Sequence, residues 1–308
     1  MAVNLTTTAT ANTPTQTTTA NNIATRRVLL SSWFPLTFFG LFITVWNGLL
    51  IIAFIINKKI RGKSSNILIF NFALTDFFVG VIYIPILCVS KYNADEEMTV
   101  FLFIFALYVT EFCLVLTAAE RYFSLNYILQ DHHLSANRLY RFIFASWIAG
   151  FILTMIPAAS YYSEDVEKRK TILENHGIFL FLVFIILVPV IFVLHAITIV
   201  KAKKLFTAKR SSLKNVADAK VAIQTQTELN TIKEENKIIL IFQTYTLLFF
   251  LCFLLQMVVY LSDFIGDVSS MVTETAMYWY LSKSIIFPVV ALWEKEYRQT
   301  VYTFLGGR

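Results

Sequence analysis

An all-α membrane protein, a bundle of seven transmembrane helices followed by a short amphipathic helix, is the fold class that three features of the 308 residues predict. Hydrophobic residues make up 57% of the chain and charged residues only 15%, a balance outside the range of soluble domains. Apolar runs long enough to cross a bilayer occur seven times, near residues 32–57, 66–90, 98–122, 139–161, 176–202, 236–262 and 271–293. Lys and Arg gather in alternate connections between these runs.

In chain order, residues 1–28 are rich in Thr, Ala and Asn and are predicted to be a disordered extracellular tail. The tail has no apolar stretch of the kind found in cleaved signal peptides, and Asn4-Leu5-Thr6 is a glycosylation sequon. Residues 29–293 form the seven-helix domain, because a backbone in lipid must satisfy its own hydrogen bonds and helix suits runs of this length. The first inner connection carries Lys58, Lys59, Arg61 and Lys63, and the later ones Arg138, Lys201, Lys203, Lys204, Lys209, Arg210, Lys214 and Lys220. The opposite side is acidic, with Asp95, Glu96, Glu97, Glu164, Asp165, Asp263, Asp267 and Glu274. This asymmetry puts the N-terminus outside and the C-terminus in the cytoplasm. The polar stretch 203–234 is expected to be a mobile loop. Residues 294–308 place Tyr297, Val301 and Phe304 at helical spacing among polar neighbours, which predicts a helix on the inner leaflet.

Composition also excludes functions. The net charge of +6 is accounted for by the connections, so no nucleic-acid partner is implied. The three cysteines, Cys88, Cys113 and Cys252, lie in or beside apolar runs, with no CxxC spacing, and the four His form no ligand cluster. No metal site, cofactor or nucleophile–base constellation is recognisable, which argues against an enzyme.

The third apolar run, residues 98–122, spans roughly 37 Å as a helix, and its polar positions are Thr110 and Glu111 in the middle and Glu120-Arg121 at the inner end. Glu120-Arg121-Tyr122 there resembles the rhodopsin-like G-protein-coupled receptors, and other runs repeat the resemblance in order. Asn47 stands in the first, Asn66, Asn71 and Asp76 in the second with Pro85 following, Trp147 and Pro157 in the fourth and Pro189 in the fifth. Phe249-x-x-Cys252-Phe253-Leu254-Leu255 resembles F-x-x-C-W-x-P of the sixth, and Phe287-Pro288-Val289-Val290-Ala291 stands in place of N-P-x-x-Y in the seventh. The match covers about residues 30–305, and the stretch from Trp46 to Pro85 is most similar to the biogenic-amine and histamine branch.

The resemblance implies a plasma-membrane receptor that converts binding of an extracellular ligand into helix rearrangement and activation of a heterotrimeric G protein. Glu120, Arg121 and Tyr122 would form the coupling end, with Glu235 at the start of the sixth run latching Arg121 until a G protein docks. Asn47, Trp147, Pro189 and Pro288 would be structural. The family's second-helix aspartate helps to bind sodium; here Asp76 would share that site with Thr110, Lys283 and Ser284, the Lys283 ammonium replacing the ion, while Glu111 would either share this charge or face the fifth helix instead. Lone charges at the bilayer centre cost roughly 2.5–3.5 kcal/mol each on insertion scales, so Asp76 and Lys283 each require a partner.

The ligand pocket implied lies between the third, fifth, sixth and seventh runs. Phe103, Leu107 and Tyr108 would line it from the third, and Phe181 and Ile185 from the fifth. Phe253, Gln256, Met257 and Tyr260 would come from the sixth, Met277 and Tyr280 from the seventh. Phe103 occupies the place of the amine-binding aspartate, which argues against a conventional monoamine and leaves the ligand class open. Other departures run through the whole bundle. Glu96 stands where the family has its third-helix cysteine, Leu255 replaces the sixth-helix proline, and Ile197 and Ala291 replace inner-end tyrosines. A signalling-poor partner that pairs with another receptor is therefore an alternative. An opsin-like photoreceptor is another, although Lys283 lies two residues from the opsin lysine position. A transporter is a third, although the chain shows no internal repeat.

Overall fold

The structure is a computed structural model and describes residues 15–93, 97–127, 136–160, 165–214, 219–265 and 269–307. The described residues are helical, in the order α1 (Thr15–Ile56), α2 (Lys58–Arg61), α3 (Ser64–Phe78), a π turn (Val79–Tyr83), α4 (Ile84–Asn93), α5 (Glu97–Tyr127), α6 (Ala136–Ser160), α7 (Val166–Lys214), α8 (Ala219–Ile265), α9 (Ser270–Ala291) and α10 (Lys295–Phe304). Six spans among them are long and apolar enough to cross a membrane: Phe34–Ile56, Ser64–Ser90, Met98–Phe123, Ala136–Ala159, Glu167–Ala208 and Asn236–Val259. The seventh is α9, less apolar because it carries Glu274, Lys283 and several hydroxyls, and it turns by 95° into α10. The chain is thus a multi-pass seven-helix bundle, and Asn4 and residues 94–96 lie outside the described residues.

The second crossing shows how one residue shapes an element. Pro85 lacks an N–H and its ring crowds the carbonyl four residues back. The chain responds with the π turn Val79–Tyr83 directly ahead of it, so helix continues on both sides. That turn lies against α1 at very short range. A Cβ on Gly80 would sit 2.6 Å from Thr44 Oγ1 and 2.9 Å from the Thr44 nitrogen, and one on Gly40 would sit 2.8 Å from Ile84 Cγ2. Glycine at both positions is what lets these backbones cross.

Three boundaries differ from the sequence expectation. α1 begins at Thr15, inside the segment read as disordered, since extending an existing helix needs one residue ordered per added hydrogen bond. α7 continues to Lys214 and α8 starts at Ala219, so most of the stretch read as a mobile loop is helix. Ala, Lys, Glu and Gln there are strong helix formers. The two extensions also carry packing contacts: Thr225 and Leu229, one turn apart on α8, are buried, and Lys233 Nζ lies 5.9 Å from the Phe206 ring centroid on α7.

Candidate functional site

Three regions carry chemistry. At mid-height, α3 presents Asp76 and α9 presents Lys283 and Ser284, all fully buried. Lys283 Nζ lies 3.1 Å from Asp76 Oδ1, the Ser284 hydroxyl donates to the same oxygen at 2.6 Å, and Nζ is 3.4 Å from Ser284 Oγ. The ammonium also lies 5.0 Å from the Tyr280 ring centroid and 5.7 Å from that of Phe249, so its other faces meet aromatic rings rather than oxygens. Asn47 Nδ2 donates to Ser284 O at 2.9 Å, which ties α1 into the same cluster. Each buried charge would be costly alone, and pairing offsets part of that cost.

Thr110 and Glu111 stand apart from this pair. Thr110 Oγ1 donates to Ala106 O of its own helix at 2.7 Å, and both carboxylate oxygens of Glu111, 3% exposed, lack hydrogen-bond partners among the described residues. Trp147 Nε1 donates to Asn71 Oδ1 at 3.0 Å and Asn71 Nδ2 contacts Cys113 Sγ at 2.6 Å, which joins α6, α3 and α5. Pro189 and Pro288 lie inside α7 and α9.

The second region is the end of the bundle where α5 finishes. Arg121 is 1% exposed and is ion-paired with Glu120 beside it. The hydroxyl of Tyr122 accepts from Lys201 Nζ at 3.2 Å, and the same ammonium lies 4.3 Å from the Tyr122 ring centroid, linking α5 to α7. His195 is wholly buried on α7 within electrostatic reach of Arg121. Glu235 is on α8, but its side chain lies outside the described residues. At this end α10 folds back on the bundle. Tyr297 OH donates to Asn66 O at 3.0 Å, and burial, with Glu294 nearby, pushes its phenol well above the ordinary value.

The third region is a cavity of about 410 Å³ at the opposite end, lined by Tyr83, Thr99, Val100, Phe103, Gln256, Thr273, Glu274 and Met277. Phe103 packs against Tyr83 and Tyr280, with ring centroids 6.0 and 5.2 Å away. Of the pocket residues expected from sequence, Phe103, Gln256 and Met277 line this cavity. Leu107, Tyr108, Phe253, Met257 and Tyr280 are buried but do not line it; Tyr280 packs on Phe103, Tyr108 OH is 3.2 Å from His176 Nε2, and the Phe253 ring centroid is 4.1 Å from that of Phe184. Phe181 is half-buried, and Ile185 corrects the expectation: 46% exposed, it faces outward, because the rotation of α7 turns that side away from the bundle. The side chain of Tyr260 lies outside the described residues. Tyr83, Thr99, Val100 and Thr273 were missed, and the π turn that carries Tyr83 leaves no periodic trace in the sequence.

Two comparisons bear on this arrangement. A family model described as "7 transmembrane receptor (rhodopsin family)" matches residues 46–290. A histamine H4 receptor of Homo sapiens is 36% identical over 86 residues, covering 27% of this chain and 21% of that receptor, so the matched segment spans about a fifth of the relative's length.

Proposed function

The chain belongs to the rhodopsin family of seven-transmembrane receptors, and from that premise we propose that it couples an extracellular ligand to a heterotrimeric G protein across the plasma membrane. The observation that carries this reading is that α5 serves both ends of the bundle. Thr99, Val100 and Phe103 line the cavity at one end, and Arg121, about 27 Å farther along the helix, is buried beside Glu120 at the other. A rotation or shift of α5 on ligand binding therefore reaches Arg121 without any intermediate element.

In this reading the cavity lies outside, the basic end with Lys58, Lys59, Arg61 and Lys63 is cytoplasmic, and the segment preceding α1 is extracellular. The cavity takes a small ligand whose class is unassigned. Aromatic and apolar groups dominate its wall, with Gln256, Thr99 and Thr273 for orientation. Glu120, Arg121 and Tyr122, with Glu235, form the coupling end. Lys283 acts as a built-in cation at Asp76, where relatives of the rhodopsin family accommodate sodium.

The test is activation of a panel of G-protein families in cells expressing the chain, before and after exposure to a ligand library, with Arg121→Ala as control. Activation of at least one family, lost in Arg121→Ala at equal surface expression, is the expected result. No activation of any family by wild-type protein present at the surface and stimulated with the library would favour a partner of other receptors instead.

A further inference from the structure

Glu111 takes part in neither the cavity nor the Arg121 end. It is 3% exposed on α5, and among the described residues neither carboxylate oxygen has a hydrogen-bond partner and no cation pairs with it. The ammonium at mid-height, Lys283, is already bonded to Asp76. A bare carboxylate among apolar side chains is costly, and a bound proton removes the charge.

A path for that proton lies across the contact of α5 with α7. Tyr108 stands three residues before Glu111, on the same side of the helix and about 4.5 Å along its axis, within electrostatic reach of the acid. Its hydroxyl is 3.2 Å from His176 Nε2 on α7, and the two rings meet edge to face with centroids 5.8 Å apart. His176, 6% exposed, is the least buried of the three and stands toward the start of α7, at the cavity end.

Few other ionisable groups face this line. α7 packs against α5, α6 and α8. On α7 itself Glu174 is half-buried two residues before His176, with Glu167, Lys168 and Arg169 nearer the helix start. Residues 148–160 of α6 include no ionisable side chain, and α8 brings Cys252, the side chains of Tyr260 and Asp263 lying outside the described residues. Around Glu111, Tyr280 of α9 is within electrostatic reach, its hydroxyl also without a hydrogen-bond partner among the described residues, and it in turn reaches Asp76, Tyr245 and Cys252.

We propose that Glu111, Tyr108 and His176 form a one-proton site filled from the cavity side of the membrane. With the proton bound, the Glu111 O–H donates to the Tyr108 oxygen and the Tyr108 hydroxyl donates to His176 Nε2, so the whole line is neutral and satisfied. With the proton gone, the direction reverses: His176 Nε2–H donates to Tyr108, and Tyr108 donates to a carboxylate that has no cation. Filling runs by three transfers. Nδ1 of His176 takes up a proton, Nε2 passes its own to the Tyr108 oxygen, and Tyr108 passes its own to Glu111. Acidity on that side thus sets the bond between α5 and α7, and α5 is the helix that joins the cavity to Arg121. That this side is extracellular rests on the orientation proposed above; proton binding does not depend on signalling.

The experiment uses the full-length protein in phosphatidylcholine nanodiscs, with the infrared band of protonated carboxyl groups and the melting temperature followed between about pH 5 and 9. Wild type should show a carboxylic acid band at neutral pH that Glu111→Gln lacks. The folded chain then holds a proton that the unfolded chain releases, so stability falls as pH rises. The wild-type melting temperature should accordingly drop relative to that of Glu111→Gln toward the alkaline end. Tyr108→Phe should keep the band but slow its shift in deuterium oxide severalfold. His195→Gln, at a buried position of the same helix near Arg121, should leave that exchange as fast as in wild type. An unchanged band in Glu111→Gln, parallel pH dependence of melting in wild type and Glu111→Gln, or equally fast exchange in Tyr108→Phe would each overturn the site. G-protein activation, measured separately in cells, tests the receptor reading, so the two fail independently.

Discussion

At the residue scale, the decisive feature is Lys283, an ammonium with no exposure that finds Asp76 at 3.1 Å and the Ser284 hydroxyl at 3.4 Å. Removing one partner of such a pair strands the other, at a cost of about 3–5 kcal/mol. Lys283→Met should therefore lower the melting temperature of the purified protein sharply, and adding Asp76→Asn should recover most of the loss. If Lys283 stands in for sodium, the wild-type melting temperature should respond equally to sodium chloride and choline chloride, whereas Lys283→Met should be raised selectively by sodium. Equal salt responses in both proteins would remove the built-in cation from the account. The pairing was legible in the sequence because a lone charge at mid-bilayer has few affordable fates, and two opposite ones in facing helices point to each other. Glu111 was not placed by the same logic. It faces neither Asp76 nor Lys283 closely enough to bond, and nothing in the spacing of α5 distinguishes a carboxylate that shares a site from one left among apolar neighbours.

At the element scale, the crossing of α1 with the π turn should be the least tolerant contact in the bundle. A side chain on Gly80 would meet the Thr44 nitrogen at 2.9 Å, backbone that cannot move aside without shifting α1. Gly80→Val should destabilise by about 1–3 kcal/mol, the usual cost of overpacking. Gly62→Ala is the matched control, because a Cβ there meets only ordinary contacts at 3.7 Å and beyond, and its melting temperature should stay near wild type. A Gly80→Val protein as stable as Gly62→Ala would show that α1 separates freely from the π turn. The apolar runs made the spanning helices legible, since length and hydropathy dictate helix in lipid. The ends were less so. Polar composition was read as loop after residue 202, but Lys, Ala, Glu and Gln favour helix whenever a partner helix is near, and α7 and α8 supply that partner to each other.

At the scale of the whole molecule, the question is how a change at the cavity reaches the Arg121 end when α8 lacks the usual hinge. α8 runs without interruption from Ala219 to Ile265, and Leu255, where the family resemblance leads one to expect proline, is 40% exposed on its outer face. An α-helix of 47 residues is about 70 Å long, more than twice the hydrocarbon thickness, so tilting it moves its far end several times farther than it moves Gln256 at the cavity. An unkinked rod of this kind transmits a tilt but resists bending. It is also held over the turns from Tyr245 to Phe253, by Phe249 and Phe253 against Phe184 and by Tyr245 against Phe72 and Phe287. Tilting must break these ring contacts together, which predicts low basal activity. Leu255→Pro removes one main-chain hydrogen bond and adds a clash with the preceding turn, so the part of α8 toward Arg121 can bend away from the Gln256 end and release Phe253, Phe249 and Tyr245 turn by turn instead of all together. Basal G-protein activation should rise severalfold in Leu255→Pro at matched surface expression and vanish again when Arg121→Ala is added. Should Leu255→Pro activate no more than wild type, the stiffness of α8 does not limit signalling, and the barrier would lie at the Glu120–Arg121 pair, to be sought with Glu120→Gln in the same assay.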